Sequence, residues 1–163
     1  SFGIFGTKMR SVIHVSDSAG IAEIVAQQFD VGRRILSMHL TPIIEPEIDI
    51  HCSDKPKAES ILKACLLDEL NNLDSQEIIL KLTLPDDKDF YGELISHPRV
   101  MRVVALSGGY PRDEANRRLS NQKSMIASFS RALTEGLSVN LNEESFNSVL
   151  SQSIESIFRA SVS

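Results

Sequence analysis

Lys81 stands between Leu80 and Leu82 in an otherwise apolar run from Glu77 to Leu84. A lysine on a buried strand loses hydration, which favours the neutral amine. A neutral amine can attack a carbonyl and form a Schiff base. On an edge strand the same side chain would simply point to water. Glu45 and Glu47 lie two residues apart in a second apolar run, and residues at i and i+2 of a strand share a face. Two carboxylates on one face suit general acid/base work, unless cations separate them. The alternative is a pair of loop-edge glutamates bound to water or to a helix end. Lys8 and Arg10 repeat the spacing with cations. They can hold an anionic substrate, pair with Glu45 and Glu47 from the next strand, do both, or form a plain surface pair. Ser107-Gly108-Gly109 follows a fourth run. Glycines there let backbone N–H groups approach an anion such as a phosphate, although many strand-to-helix turns need glycine without binding anything. Arg131 directly follows a fifth run and can offer a guanidinium fork to the same anion.

These residues are useful only if the elements bring them together. Five strand-length segments rich in Ile, Val, Leu and Phe span residues 5–13, 40–48, 77–84, 100–107 and 125–130. Helical periodicity fills the spaces between them. Ile21, Ile24, Val25, Phe29, Ile35 and Leu36 fit one helix face, and Ile61, Leu62, Cys65, Leu66 and Leu70 fit another. Asp54 is placed to cap the second helix, with Pro56 in its first turn. Pro111 with Asp113 and Glu114 opens a further helix. Asn142, Glu143 and Glu144 open the last one, whose expected apolar side is Phe146, Val149, Leu150, Ile154, Ile157 and Phe158. Pro42 and Pro46 suggest that the second strand stops near the glutamates, because proline cannot donate to a central ladder. Alternating strands and helices predict a parallel sheet with helical crossovers. Both an open doubly wound sheet and a (β/α)8 barrel satisfy that order, and in both the site lies at the C-terminal ends of the strands.

Composition narrows the function classes. The 163 residues are 42% hydrophobic and 24% charged, an ordinary globular balance with no linker-like stretch. A net charge of -5 and a pI near 5.4 argue against a nucleic-acid or anionic-membrane partner. No apolar run approaches a membrane span. Cys52 and Cys65 form neither a disulfide framework nor a zinc spacing, and favour a reducing intracellular compartment. His14, His39, His51 and His97 show no metal-ligand spacing and no partner pattern, so no metal is expected. Lys55, Lys57 and Lys63 read as a solvated helix face.

Taken in order, the motifs form a recognisable set. Phe5-Gly6-Thr7-Lys8-Met9-Arg10, Ile44-Glu45-Pro46-Glu47, Leu80-Lys81-Leu82-Thr83, Leu106-Ser107-Gly108-Gly109 and Ser128-Phe129-Ser130-Arg131-Ala132-Leu133 together resemble class I fructose-bisphosphate aldolase. The likeness is to its bacterial-type branch, through the stretch from Val103 to Arg118 and the ending from Ile154 to Val162, and it covers essentially the whole chain. The resemblance implies a (β/α)8 barrel in which the five βα units here correspond to strands four to eight. It places Lys81 on the Schiff-base lysine, Glu45 on the acid/base glutamate of carbinolamine dehydration, Glu47 on its neighbour, and Lys8 on a site lysine. Arg10 falls near the distal phosphate of the substrate. Ser107, Gly108 and Arg131 fall on the cradle for the phosphate of the ketone half, and Phe129 stands where some relatives carry tyrosine.

The implied reaction is reversible cleavage of fructose 1,6-bisphosphate to dihydroxyacetone phosphate and glyceraldehyde 3-phosphate. That is a glycolytic and gluconeogenic step with a sugar phosphate as its small-molecule partner and no cofactor. A cytoplasmic location, or an organelle such as a plastid, follows. An aspartate of the family's first strand and a lysine of its third have no counterpart here. A barrel typically needs ~250 residues, so residues 1–163, starting at Ser1, are expected to be the C-terminal portion of a single barrel domain. Alone, that portion is expected to be inactive and prone to aggregate through open sheet edges. Two other classes fit less of the pattern. One is another Schiff-base barrel enzyme, transaldolase-like or deoxyribose-phosphate aldolase-like, from which Arg10 is the discriminating residue. The other is a non-catalytic partial barrel used for binding.

Overall fold

The computed structural model describes residues 3–163; Ser1, read above as the start of a piece, lies outside them, as does Phe2. The elements run β1 (Gly6–Ile13), α1 (Ser18–Ser37), β2 (Thr41–Ile48), α2 (Lys55–Asn71), β3 (Ile78–Thr83), α3 (Gly92–Ile95), β4 (Val100–Leu106), α4 (Arg112–Leu119), β5 (Ile126–Ala127), α5 (Arg131–Thr134) and α6 (Glu143–Ser161). The strands form one sheet in the order β1-β2-β3-β4-β5, parallel at every pairing. Each crossover therefore advances by one strand in the same direction. A doubly wound sheet reverses that order at a switch point, whereas a (β/α)8 barrel does not. The order thus selects between the two architectures: the chain is a run of five βα units of a partial (β/α)8 barrel, with β1 and β5 as the edges of an open sheet.

Strand alternation explains how a lysine fits an apolar strand. In β3, Ile78, Leu80 and Leu82 are buried against the helices, while Ile79 and Lys81 take the other face. The helical layer is held by Val25 and Phe29 of α1, by Leu62, Leu66 and Leu70 of α2, and by Tyr91 and Leu94 around α3. Gly32 lets α1 lie close on β2, since a Cβ there would sit 3.3 Å from Ile44 Cδ1. Asp17 and Asn142 cap α1 and α6 by accepting the N–H groups of Gly20 and Ser145.

Three expectations need correction. The strand expected over 125–130 shrinks to Ile126–Ala127, which pair with Val104 and Ala105 of β4. Asp54 occupies the N-cap of α2 but its side chain accepts no capping bond. Pro42 and Pro46 behave as expected: β2 ends at Ile48, one residue past Glu47. The fold accommodates them by parting β2 from β3: paired residues are confined to Ile43↔Ile79 and Ile44↔Leu80. Beyond that point the Thr83 hydroxyl takes over, accepting from Ile48 N at 2.9 Å and donating to Ile48 O at 2.8 Å. Finally, much of the expected apolar side of α6 is in water. Ile157 is buried, but Phe146, Ile154 and Phe158 are exposed. The helix meets α4 through polar groups instead, with Arg112 Nη1 donating to Ser153 Oγ at 2.6 Å and Asn116 Nδ2 to Ser156 Oγ at 3.3 Å.

The start of β1 depends on glycine. A Cβ at Gly6 would lie 2.1 Å from the Thr41 carbonyl oxygen, and that backbone atom cannot rotate away. Gly6→Ala is expected to destabilise the chain by about 1–3 kcal/mol, as overpacking does. Thermal denaturation should show a fall of roughly 2–12 °C. Gly92→Ala, where a Cβ would meet nothing within 4 Å, serves as the control.

Candidate active site

Parallel pairing puts the C-terminal ends of all five strands on one rim. There a cleft of about 370 Å³ holds Lys8, Arg10, Glu45, Glu47, Lys81 and Arg131 together, floored by Leu106 and Ser107. Every charged residue singled out in the sequence is thus in one place. A larger groove of about 470 Å³ between β5 and α6 has no titratable group in its lining, so it cannot host the same chemistry.

Register decides who meets whom. Lys8 lies opposite Ile43 and Arg10 opposite Glu45, yet each cation reaches two residues further along β2. Lys8 Nζ is 2.7 Å from Glu45 Oε2, and Arg10 Nε donates to Glu47 Oε2 at 2.7 Å. Of the readings left open for these residues, cross-strand pairing is what the fold adopts. The hydrogen bond to Glu47 raises the already high pKa of the Arg10 guanidinium. Among the described residues, Arg10 is bonded through Nε alone, which leaves both terminal nitrogens for an anion.

Lys81 Nζ lies 3.5 Å from Glu45 Oε1, with its side chain 14% exposed and that of Glu45 5% exposed. Glu45 is therefore shared between two lysines, one on each oxygen. Glu47 engages Arg10 rather than Lys81. The two carboxylates that share a face are consequently each engaged by different cations.

At the opposite end of the cleft, Ser107 is buried and Gly108 and Gly109 carry φ values of +65° and +110°. A Cβ on Gly108 would meet Ile50 Cγ2 at 2.8 Å, so the turn needs glycine for space as well as conformation. Among the described residues, the N–H groups of Gly108 and Gly109 donate to no protein acceptor. The Arg131 guanidinium lies beside this turn, 3.7 Å from where a Gly109 Cβ would be. It makes no ion pair there. Unpaired amides next to an unpaired guanidinium form an anion site.

Sequence reasoning missed three features. Ser128 and Ser130 also line the cleft; their i, i+2 spacing after the fifth strand was the available signal. Lys55 is not on a solvated face. It is buried at the start of α2, paired with Glu59, 3.2 Å from Asp86 and donating to Leu84 O at 3.0 Å. Lys63 reaches Glu93 at 2.5 Å, and only Lys57 is fully in water. His14, expected to lack a partner, has Nδ1 2.9 Å from Asp49 Oδ2. Asp49 is held below the usual carboxylate range, first by the backbone N–H of His51 and then by His14. Among the described residues, no three His, Cys, Asp or Glu side chains converge as metal ligands would, and no helix is long and apolar enough to cross a membrane. Burial pushes the Cys65 thiol up.

Consecutive βα units with a lysine–carboxylate cluster and an anion turn at the strand ends give the layout of the working face of a (β/α)8-barrel enzyme. The chain is 54% identical over 161 residues to the class 1 fructose-bisphosphate aldolase of Synechocystis sp., a match covering 98% of this chain and 54% of that protein. It is 53% identical over 161 residues to the protein of the same name from Porphyromonas gingivalis, covering 99% and 55%. The Clostridium acetobutylicum class 1 fructose-bisphosphate aldolase is 49% identical over 160 residues, covering 98% and 54%. By sequence the chain is thus related, along essentially its whole length, to class 1 fructose-bisphosphate aldolases. It spans about half the length of the curated relatives it matches. No family model matches it. A solved fructose-bisphosphate aldolase from Plasmodium falciparum, in complex with TRAP and a small-molecule inhibitor, superposes with a TM-score of 0.64 over 96% of this chain and 56% of that one. At 22% identity that likeness speaks for the fold alone.

Proposed function

We propose that residues 1–163 form the C-terminal portion of a class I fructose-bisphosphate aldolase barrel and carry its Schiff-base machinery. The observation that carries this reading is Lys81 Nζ, mostly buried and 3.5 Å from Glu45 Oε1, in a cleft that ends at the unpaired Arg131. In this reading Lys81 attacks the ketone carbon of the sugar phosphate. Glu45 takes a first proton from the Lys81 nitrogen, which frees the amine for that attack; the attacked oxygen takes a second proton from the nitrogen and the first back from Glu45, and so leaves as water. The resulting iminium accepts the electron pair when the carbon–carbon bond breaks. Lys8 holds the second oxygen of Glu45 and so fixes which oxygen faces Lys81. Ser107, Gly108 and Arg131 take the phosphate of the ketone half, and the free nitrogens of Arg10, held in place by Glu47, take the distal phosphate.

Turnover by the 163-residue chain alone is expected to be absent, because the aspartate and second lysine that the resemblance assigns to other strands have no counterpart here. Imine formation needs only the groups present. Incubation with dihydroxyacetone phosphate followed by borohydride should leave a reduced adduct on Lys81, found by peptide mass spectrometry. A chimera in which this chain replaces the matching half of the Synechocystis relative should in addition cleave fructose 1,6-bisphosphate. A folded chimera that neither cleaves it nor traps on Lys81 would overturn the reading.

Arg131→Met tests the anion end separately. Loss of a charged hydrogen-bonding group is expected to weaken dihydroxyacetone phosphate binding by about 10–150-fold. The limiting trapping rate at saturation should stay near that of the unsubstituted chain. Titration of trapping against substrate concentration reads both quantities.

A further inference from the structure

Gln28 is the one polar side chain among the buried residues of α1, 2% exposed. It lies outside the cleft, on the helix behind β2. Its Oε1 accepts the backbone N–H of Glu45 at 2.9 Å, and because that partner is a donor, only the oxygen end of the amide can face it. The other end, Nε2, is buried with no hydrogen-bond partner among the described residues. A buried donor left unpaired is unfavourable, and an apolar residue of the same size would avoid it. Packing alone therefore does not account for glutamine at this position; what its oxygen does for Glu45 must.

Glu45 is the residue at which β2 leaves β3. Pairing between the two strands extends to Ile44↔Leu80, the next residue, Pro46, has no N–H to donate, and the strands rejoin only through the Thr83 hydroxyl at Ile48. Glu45 stays paired with Arg10 of β1 but has no partner on β3, and the Gln28 side chain adds a hold from the helical layer. The N–H of Glu45 is tied to the helical layer, while its carboxylate points to the cleft and meets Lys8 at 2.7 Å and Lys81 at 3.5 Å. Tether and carboxylate lie on opposite sides of one residue.

We infer that Gln28 is a positioning residue that sets the Glu45 carboxylate against Lys81 by anchoring the Glu45 backbone at the break in the β2–β3 ladder. The inference rests on the reading of Glu45 as the proton carrier for imine formation. Gln28→Met keeps the size, removes the acceptor and also removes the unpaired Nε2. The chimera with the Synechocystis relative, treated with dihydroxyacetone phosphate and quenched with borohydride over a time course, reports the outcome. The limiting rate of Lys81 trapping is expected to fall by about 10–100-fold, as an ångström-scale misplacement produces. The half-saturating concentration, set by the distant phosphate cradle, should change less than about twofold, and the melting temperature should not drop. Gln28→Glu, which keeps an acceptor oxygen, should recover most of the rate.

An unchanged rate in Gln28→Met overturns the inference. So does a parallel loss of rate, affinity and melting temperature, which a merely structural role would give. If Gln28→Met does not fold, Gln28→Asn, one methylene too short to reach Glu45 N, is read the same way. Failure of the unsubstituted, folded chimera to trap on Lys81 is a different result: it removes the reading of Lys81 and Glu45, and this inference with it.

Discussion

Glu45→Gln is expected to slow imine formation at Lys81 by about 10²–10⁴-fold, the usual contribution of a positioned acid/base group, without moving the adduct to another lysine. The amide keeps the shape of the side chain and can still bond Lys8, but it can neither take a proton from the Lys81 nitrogen nor deliver one to the departing oxygen. Glu45 Oε1 is the carboxylate oxygen near Lys81 Nζ, at 3.5 Å. Glu47 is committed to Arg10 at 2.7 Å, so Glu47→Gln should slow trapping far less and act mainly through the distal phosphate. The contrast is the test. Rapid-quench borohydride trapping of both variants, under saturating dihydroxyacetone phosphate, ranks the two carboxylates. If Glu47→Gln is the slower, the roles assigned to the pair are reversed and the ion-pair geometry does not report the chemistry.

Much of this site was legible because period-two alternation is a strong constraint. Lys81 between two leucines, Glu45 and Glu47 about a proline, and Lys8 and Arg10 about a methionine each put their polar groups on one face. A parallel sheet then needs only the strand order to bring those faces together. What element order alone left open, where the family resemblance pointed to a barrel, was which architecture holds them and what each cation pairs with. Both depend on strand order and register, which are relations between distant segments. Gln28 was invisible for the same reason. Nothing in its helix marks it, since its role exists only where Pro46 opens the ladder next to it. Ser128 and Ser130 had a spacing signal, but on a strand reduced to two residues that spacing says little. The outer side of α6 misled because amphipathic periodicity tells which face is apolar and not whether anything covers it: Ile154 and Phe158 of α6 are exposed beside β5, the edge of the sheet.

Lys55 is where sequence and structure part most, and its replacement should have the largest effect on stability. Lys63 and Lys57, near it in sequence, are ordinary helix lysines, but Lys55 lies at the first turn of α2 and turns inward under the loop that follows β3. There it pairs with Glu59 and donates to Leu84 O, three residues beyond Lys81. Asp86, in the same loop, is bridged to Arg118 at 2.6 Å, and Arg118 to Glu114 at 2.7 Å. The cluster therefore clamps the end of the strand that carries Lys81 to α2 and α4. Lys55→Ala leaves the Glu59 carboxylate buried without its counter-ion and is expected to destabilise the chain by about 3–5 kcal/mol. Burial already holds the Glu59 carboxyl above its ordinary value of 4.5 despite Lys55, and removing the cation raises it further. A carboxyl raised in the folded state binds more protons folded than unfolded between the two pKa values, so stability falls as pH climbs through that interval. The defect of Lys55→Ala should therefore be large at neutral pH and shrink as pH is lowered toward 4.5. Replacing both partners, Lys55→Met with Glu59→Leu, removes the buried charges together and should recover most of the loss at neutral pH. Urea denaturation of the three chains across that pH range measures both effects. A Lys55→Ala defect that is flat with pH would place the energetic cost in the lost Leu84 contact instead of the stranded carboxylate.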